Sequence, residues 1–96
     1  MNLFICGVGG QGIGLLTEVL SRACLKAGLV VHGCDTHGLA QRGGVVASHL
    51  RLGTDLRTPR VPPGQADLVI GLERLEALRG ARLYLKPGGV VLFYES

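Results

Sequence analysis

The stretch Asn2-Leu3-Phe4-Ile5-Cys6-Gly7-Val8-Gly9-Gly10-Gln11-Gly12 decides the reading of this chain. Asn2 to Cys6 is apolar on both faces of an extended segment, as a buried central strand requires. The run then breaks into Gly-x-Gly-x-x-Gly. A strand that feeds such a loop and then a helix is the context in which the pattern has physical meaning. Gly7 is predicted to allow the turn out of the strand. Gly9 lets the backbone approach a ligand, and Gly12 lets the helix pack near the sheet. The first N–H groups of that helix lack intrahelical partners and sit at its positive end, where a phosphate or carboxylate fits. Tight packing of the loop against a neighbouring subunit would call for the same glycines.

The helix is predicted over Ile13 to Ala27, with Leu16, Leu20, Ala23, Cys24 and Ala27 on one stripe. Gly28 is its stop, and Lys26 suits the negative end. Leu29 to Asp35 is a second strand, so strand, helix and strand make a βαβ unit. Asp35 lies 23 positions after Gly12, near the spacing at which a Rossmann carboxylate holds a ribose hydroxyl. The loop His37-Gly38-Leu39-Ala40-Gln41-Arg42-Gly43-Gly44 follows. Arg42 has no acid within three positions, and its guanidinium can take a carboxylate or phosphate in bidentate fashion or bond to loop carbonyls.

Val45 to Leu52 alternates as a third strand, suited to an edge or to antiparallel pairing. Gly53 to Gln65 contains Pro59, Pro62, Pro63 and Gly64 and reads as a surface loop. Asp67 to Leu72 is another strand. Glu73 to Arg79 is a short helix, with Leu75 and Leu78 inward, Gly80 as its stop and Glu73 favourable at its start. Leu83 to Leu85, a turn at Lys86-Pro87-Gly88-Gly89, and Val90 to Tyr94 follow. The fold class is α/β: a Rossmann-like, mostly parallel open sheet with flanking helices, in one domain over residues 1–96. The glycine loop, the Asp35–Arg42 loop and Gly71–Glu73 each follow a strand's carboxyl end. In a parallel sheet they converge on one crevice, where open α/β sheets bind ligands.

Composition narrows the function classes. Of the 96 residues, 47% are hydrophobic and 18% charged, so the chain folds rather than remaining a disordered tail. A small domain this apolar invites an oligomer or a partner subunit. The net charge of +3 comes from scattered basic residues, and aromatics are 4% with no Trp, so no nucleic-acid platform is indicated. Cys6, Cys24 and Cys34 form no CxxC pair and read as buried free thiols. His32 and His49 lie in strands and read as hydrogen-bonded or edge histidines. Neither a metal-ligand cluster, paired carboxylates nor a Gly-x-Ser-x-Gly elbow is present. No signal peptide precedes the first strand, and no apolar run is long enough to span a bilayer. A cytoplasmic protein with no membrane association is the expectation.

Four motifs occur in order: Gly7 to Gly12, His37 to Gly44, Ser48-His49-Leu50-Arg51-Leu52-Gly53, and Ala66-Asp67-Leu68-Val69-Ile70-Gly71-Leu72-Glu73. Together they resemble the γ domain of pyruvate:ferredoxin oxidoreductase and, equally, the β subunit of indolepyruvate:ferredoxin oxidoreductase. The resemblance covers essentially the whole chain. The family domain is usually nearly twice as long, so a shortened domain is expected. The resemblance implies an accessory, non-catalytic part of a complex that oxidatively decarboxylates 2-oxoacids. Such a complex passes electrons to ferredoxin and usually forms an acyl-CoA. Thiamine diphosphate and iron–sulfur clusters belong to its other subunits or domains, which would be the partners. The cofactor-binding candidates on this chain are those its loops supply: Gly7, Gly9, Gly10, Gln11 and Gly12 for a phosphate, Arg42 for a carboxylate or phosphate, and Asp35 for a ribose hydroxyl, with no catalytic and no metal-ligating candidate. Two other readings stay open: a free-standing NAD- or CoA-binding module, and a self-associating fragment.

Overall fold

The computed structural model describes residues 1–8, 12–37, 45–53 and 60–94. Five strands form one sheet in the order β2-β3-β1-β4-β5. They are β1 (Asn2–Val8), β2 (Val31–His37), β3 (Val45–Leu52), β4 (Ala66–Gly71) and β5 (Leu85–Phe93). Two helices, α1 (Ile13–Lys26) and α2 (Arg74–Tyr84), complete the elements. α1 packs over β3, β1 and β2, and α2 over β4, β1 and β5. The result is an α/β open sheet with one helix on each face.

The sheet is mixed rather than mostly parallel. β1 pairs in parallel with β4, and β4 with β5, but β3 runs antiparallel to both β1 and β2. The expected βαβ unit is therefore split, because β3 sits between the two strands that α1 connects. β3 is antiparallel as its alternation suggested, yet it is not an edge strand. Ala47, Ser48, His49 and Leu50 are all buried, two on each face. Alternation of polar and apolar residues marked a wet face, but His49 and Ser48 are polar residues taken into the interior.

The two faces carry two cores. Leu3, Ile5, Ile13, Leu50 and Leu52 pack under α1, joined by the half-buried Leu16, Leu20 and Cys24. Ala23 and Ala27, expected on the same stripe, are exposed. Gly28 ends α1 at φ 84°, and Lys26 occupies the last turn. Phe4, Cys6, Ala47, Val61, Ala66 and Val69 form the second core, with Tyr84 and Val91 packed on it. Phe4 is stacked on Tyr84 at 4.1 Å between ring centroids and meets His49 edge-on at 4.9 Å.

α2 departs most from the sequence reading. Gly80 does not stop it; the helix runs on to Tyr84. Its inward residues are Glu76, Ala77 and Gly80, while Leu75 and Leu78 face solvent. The reason is steric. A Cβ on Gly80 would lie 2.9 Å from Phe4 Cε2 and 3.1 Å from Cys6 Sγ. A Cβ on Gly71 would lie 2.3 Å from that of Ala77. The helix sits so close to β1 and β4 that only small residues fit beneath it, and its leucines are turned outward.

The turn at Lys86–Gly89 is absorbed into β5 as an irregularity: Ala66 pairs with Leu85, but Leu68 with Val90. Gly88 there adopts φ 82°. Lys86 reaches back to the Asp67 carboxylate, which also accepts from the Asn2 backbone N–H at 2.7 Å. The segment read as a surface loop is partly interior. Val61 is buried, and its N–H donates to His49 Nδ1 at 3.1 Å.

Candidate functional site at the carboxyl edge of the sheet

The strand registers bring several segments to one edge. Val8, at the end of β1, pairs with Val45, and His37, at the end of β2, pairs with Val46. On the other side of β1, Cys6 is level with Gly71. The Leu72 N–H donates to the Cys6 carbonyl at 2.9 Å, and the Tyr94 N–H to the Gly71 carbonyl at 3.1 Å. The ends of β1, β2, β4 and β5 thus share an edge, as the convergence argument required.

At the start of α1, Gly12 is left-handed, at φ 82° and ψ 22°. This conformation is easy only for a residue without a Cβ. Its carbonyl accepts from Leu16 N at 3.0 Å and opens the helix. Among the described residues no side chain caps this end, and no acidic residue lies in the first turn. The positive end of α1 therefore meets no internal negative charge from its own first turn. α2 is built differently. Glu73 is its N-cap, and its carboxylate accepts from Glu76 N at 3.0 Å. The capping role read for Glu73 holds.

The expected site residues separate into three groups. Gly7 is buried and still within β1, paired with Val46, so the chain leaves the strand after Val8 rather than at Gly7. Gly12 stands at the head of α1. Gly9, Gly10, Gln11 and Arg42, with the rest of 38–44, lie outside the described residues. Asp35 lies inside β2, paired with Ser48, and Ser48 pairs on its other side with Ile5. Asp35 is thus two strand spacings from β1, about 10 Å, and level with Ile5. In a dinucleotide-binding βαβ unit the second strand lies directly beside the first. The spacing of a ribose carboxylate is met here along the chain, but β3 intervenes in space.

Beside this edge, between β1 and α2, lies a cleft of about 200 Å³ lined by Phe4, Cys6, Glu76, Arg79, Gly80 and Leu83. No motif along the chain points to it, because it arises where the small face of α2 meets β1. Its Cys6 thiol donates to the Glu76 carbonyl at 3.2 Å. Burial pushes this thiol up to about 12, with Glu76 and then Glu73 adding to the rise. It stays protonated near neutral pH and is no nucleophile, since the thiolate is the reactive form. Glu76 is buried, and its carboxylate meets the mostly exposed Arg79 at 3.2 Å. Cys24 packs under α1 on the opposite face of the sheet from Cys6. Among the described residues no cluster of His, Cys, Asp or Glu could hold a metal ion. No helix among them is long and apolar enough to cross a membrane.

A mixed five-stranded sheet with a glycine-opened helix on one face and a close-packed helix on the other defines an α/β open-sheet module. The chain belongs to the pyruvate ferredoxin/flavodoxin oxidoreductase family, whose model matches residues 2–96. Indolepyruvate oxidoreductase subunit IorB from Archaeoglobus fulgidus is 47% identical over 92 residues, covering 96% of this chain and 45% of that one. The Pyrococcus horikoshii subunit of the same name is 46% identical over 90 residues, with 44% of its length covered. The chain therefore spans a little under half the length of the curated relatives it matches. Among solved structures, the γ subunit of a keto/oxoacid ferredoxin oxidoreductase from Geobacter sulfurreducens superposes with a TM-score of 0.71 at 26% identity. That match covers 96% of this chain and 49% of that one. The PORC subunit of pyruvate oxidoreductase from Thermotoga maritima shares the fold, with a TM-score of 0.76 at 21% identity.

Proposed function

We propose that this chain is an accessory, γ-type module of a 2-oxoacid:ferredoxin oxidoreductase, with indolepyruvate-type enzymes as a model. The observation that carries the reading is the match of residues 2–96 to the family model, together with 47% identity over 92 residues to an indolepyruvate oxidoreductase subunit. In this reading the chain holds no catalytic group. Thiamine diphosphate and the iron–sulfur clusters sit on partner subunits, which perform the oxidative decarboxylation and pass electrons to ferredoxin. The chain helps assemble the complex in the cytoplasm.

The finer part of the proposal concerns the carboxyl edge of the sheet. The backbone of Gly9, Gly10, Gln11 and Gly12, with the Arg42 guanidinium, contacts the phosphates of CoA, while Gly7 stays within β1. The uncapped, acid-free start of α1 supports this, because phosphate supplies the negative charge the helix end lacks. Asp35 is left out of the phosphate group: it is an acid, and β3 stands between it and the loop. The same separation weighs against a free-standing NAD module.

The test is affinity capture of the tagged chain from its host, followed by assay of the captured material. The expected result is recovery of a thiamine-diphosphate subunit and an iron–sulfur subunit, with 2-oxoacid-dependent reduction of ferredoxin. Recovery of the chain alone, from cells that contain those subunits, would refute the accessory role. For the phosphate contact, Arg42→Ala in the captured complex should raise the KM for CoA and leave that for the 2-oxoacid unchanged. Equal values for CoA would refute that contact.

A further inference from the structure

The cleft of about 200 Å³ between β1 and α2 has an apolar floor and a charged rim. Phe4 and Cys6, both buried, form the floor, and Gly80 puts no side chain into the space. The Phe4 ring is fixed by its stack on Tyr84. The Cys6 S–H is already donated to the Glu76 carbonyl, so the sulfur offers the cleft a soft, apolar surface. Leu83 forms a wall and is 62% exposed. An apolar space of about 150 Å³ admits a benzene-sized group. This one has room for one ring or a short aliphatic chain.

The rim selects the charge. Arg79 lies on it, and an adjoining cleft of about 310 Å³ is lined by Arg79, Arg82 and Leu83. The two spaces follow one flank of α2. The Glu76 carboxylate already meets Arg79 at 3.2 Å. Arg82 is exposed and has no hydrogen-bond or ion-pair partner among the described residues. Two guanidinium groups against one carboxylate leave a single positive charge in excess, which suits a monoanion better than a phosphate dianion. With the Cys6 S–H spent, the arginines are the side-chain donors that line the space, and a guanidinium fork matches a planar carboxylate. An apolar concavity with a few convergent polar groups at its mouth is the usual form of a small-ligand site.

We infer that this flank of α2 binds a small apolar monocarboxylate. Its ring or chain lies over Phe4 and Cys6 against Leu83, and its carboxylate meets Arg82 and Arg79. No group on the floor reads a 2-oxo substituent, so the site is distinct in its chemistry from the oxidation of a 2-oxoacid. The inference stands on the cleft and is independent of the proposed role in a complex.

The test titrates the isotope-labelled chain with 3-phenylpropionate and with hexanoate and reads the backbone amide resonances of Cys6, Gly80 and Leu83. Ligands of this size bind such a site with a Kd on the order of 1 mM. Saturable shifts at those amides with either acid, while Glu18 and Arg22 on α1 stay unmoved, are the expected result. Stronger binding of one acid names the apolar group as a ring or a chain. The alcohol 3-phenylpropan-1-ol, which keeps the ring and lacks the charge, should bind about threefold more weakly or worse than the ring acid. Arg82→Ala should weaken the acid by a similar factor, about threefold or more, and leave the alcohol within about twofold, a split that a folding defect would not produce. The 2-oxo derivative of 3-phenylpropionate should bind within about threefold of its parent. Absence of a saturable shift up to about 20 mM, equal affinity for acid and alcohol, or an unchanged Kd in Arg82→Ala would overturn the inference. So would tighter binding of inorganic phosphate at the same amides.

Discussion

Replacing Gly80 by alanine sets two effects of known size against each other. Glycine inside a helix is about 1 kcal/mol less favourable than alanine. By propensity alone Gly80→Ala should therefore stabilise α2. Its new methyl, however, would meet Phe4 Cε2 at 2.9 Å, and Phe4 Cδ2 and Cys6 Sγ at 3.1 Å. None of these atoms ends a flexible side chain. The Phe4 ring is held by stacking on Tyr84 at 4.1 Å and by the edge of His49 at 4.9 Å. Cys6 lies in β1, at the middle of the sheet. Overpacking costs about 1–3 kcal/mol, and a rigid aromatic stack places this site in the upper half of that range. The net expectation is a loss of about 1–2 kcal/mol, which for a domain of this size lowers Tm by roughly 5–10 °C. Gly14→Ala in α1 is the comparison, because nothing lies within 4 Å of its new methyl. It should stabilise by about 0.5–1 kcal/mol. Urea unfolding followed by circular dichroism measures both. If Gly80→Ala raises the midpoint as Gly14→Ala does, the close seat of α2 on β1 is wrong, and with it the account of why the leucines face out.

Three further outcomes follow from the electrostatics and the cap. The Cys6 thiol, raised to about 12 from 9.0, stays protonated in the fold while the unfolded chain ionises; stability should therefore fall as pH rises from about 9 toward 12, and Cys6→Ala should flatten that fall. The Asp67 carboxylate is held below its ordinary range by Lys86 and then by the Asn2 N–H. Its contribution is present above about pH 4 and lost as pH drops through the lowered value; Asp67→Asn should reduce the acid sensitivity of Tm. Glu73→Ala removes the acceptor that Glu76 N uses at 3.0 Å and should cost about 1 kcal/mol by denaturant titration, with Glu73→Asp recovering part of it.

Much of the fold was legible because three signals are local. The apolar run at Asn2–Cys6, the glycines that follow, and the stop at Gly28 each act within a few residues, and β1, α1 and the end of α1 fall near their expected places. The misreadings share one cause: non-local packing outweighed local pattern. Leu75 and Leu78 look like a core stripe, but proximity of α2 to β1 admits only Ala77 and Gly80 beneath the helix. Gly80 looks like a stop for the same reason that it is not one, since the absence of a side chain serves contact with Phe4 rather than a left-handed turn. His49 reads as hydrogen-bonded or at an edge, and of the two the structure shows the first, with the Val61 N–H donating to its buried Nδ1. No spacing rule along the chain reports which strand lies between two others.

That last point governs the site. A glycine loop followed at the right interval by an acid is a good sequence indicator of a bound ribose only if the two strands that carry them are neighbours. Here β3 occupies the position between them, so Asp35 stands about two strand spacings from β1. The antiparallel pairing follows from chain length, because β3 begins at Val45, beside the end of β2 at His37, and a parallel return would need a crossover of about a dozen residues or more. One topological insertion thus separates this module from a dinucleotide-binding unit.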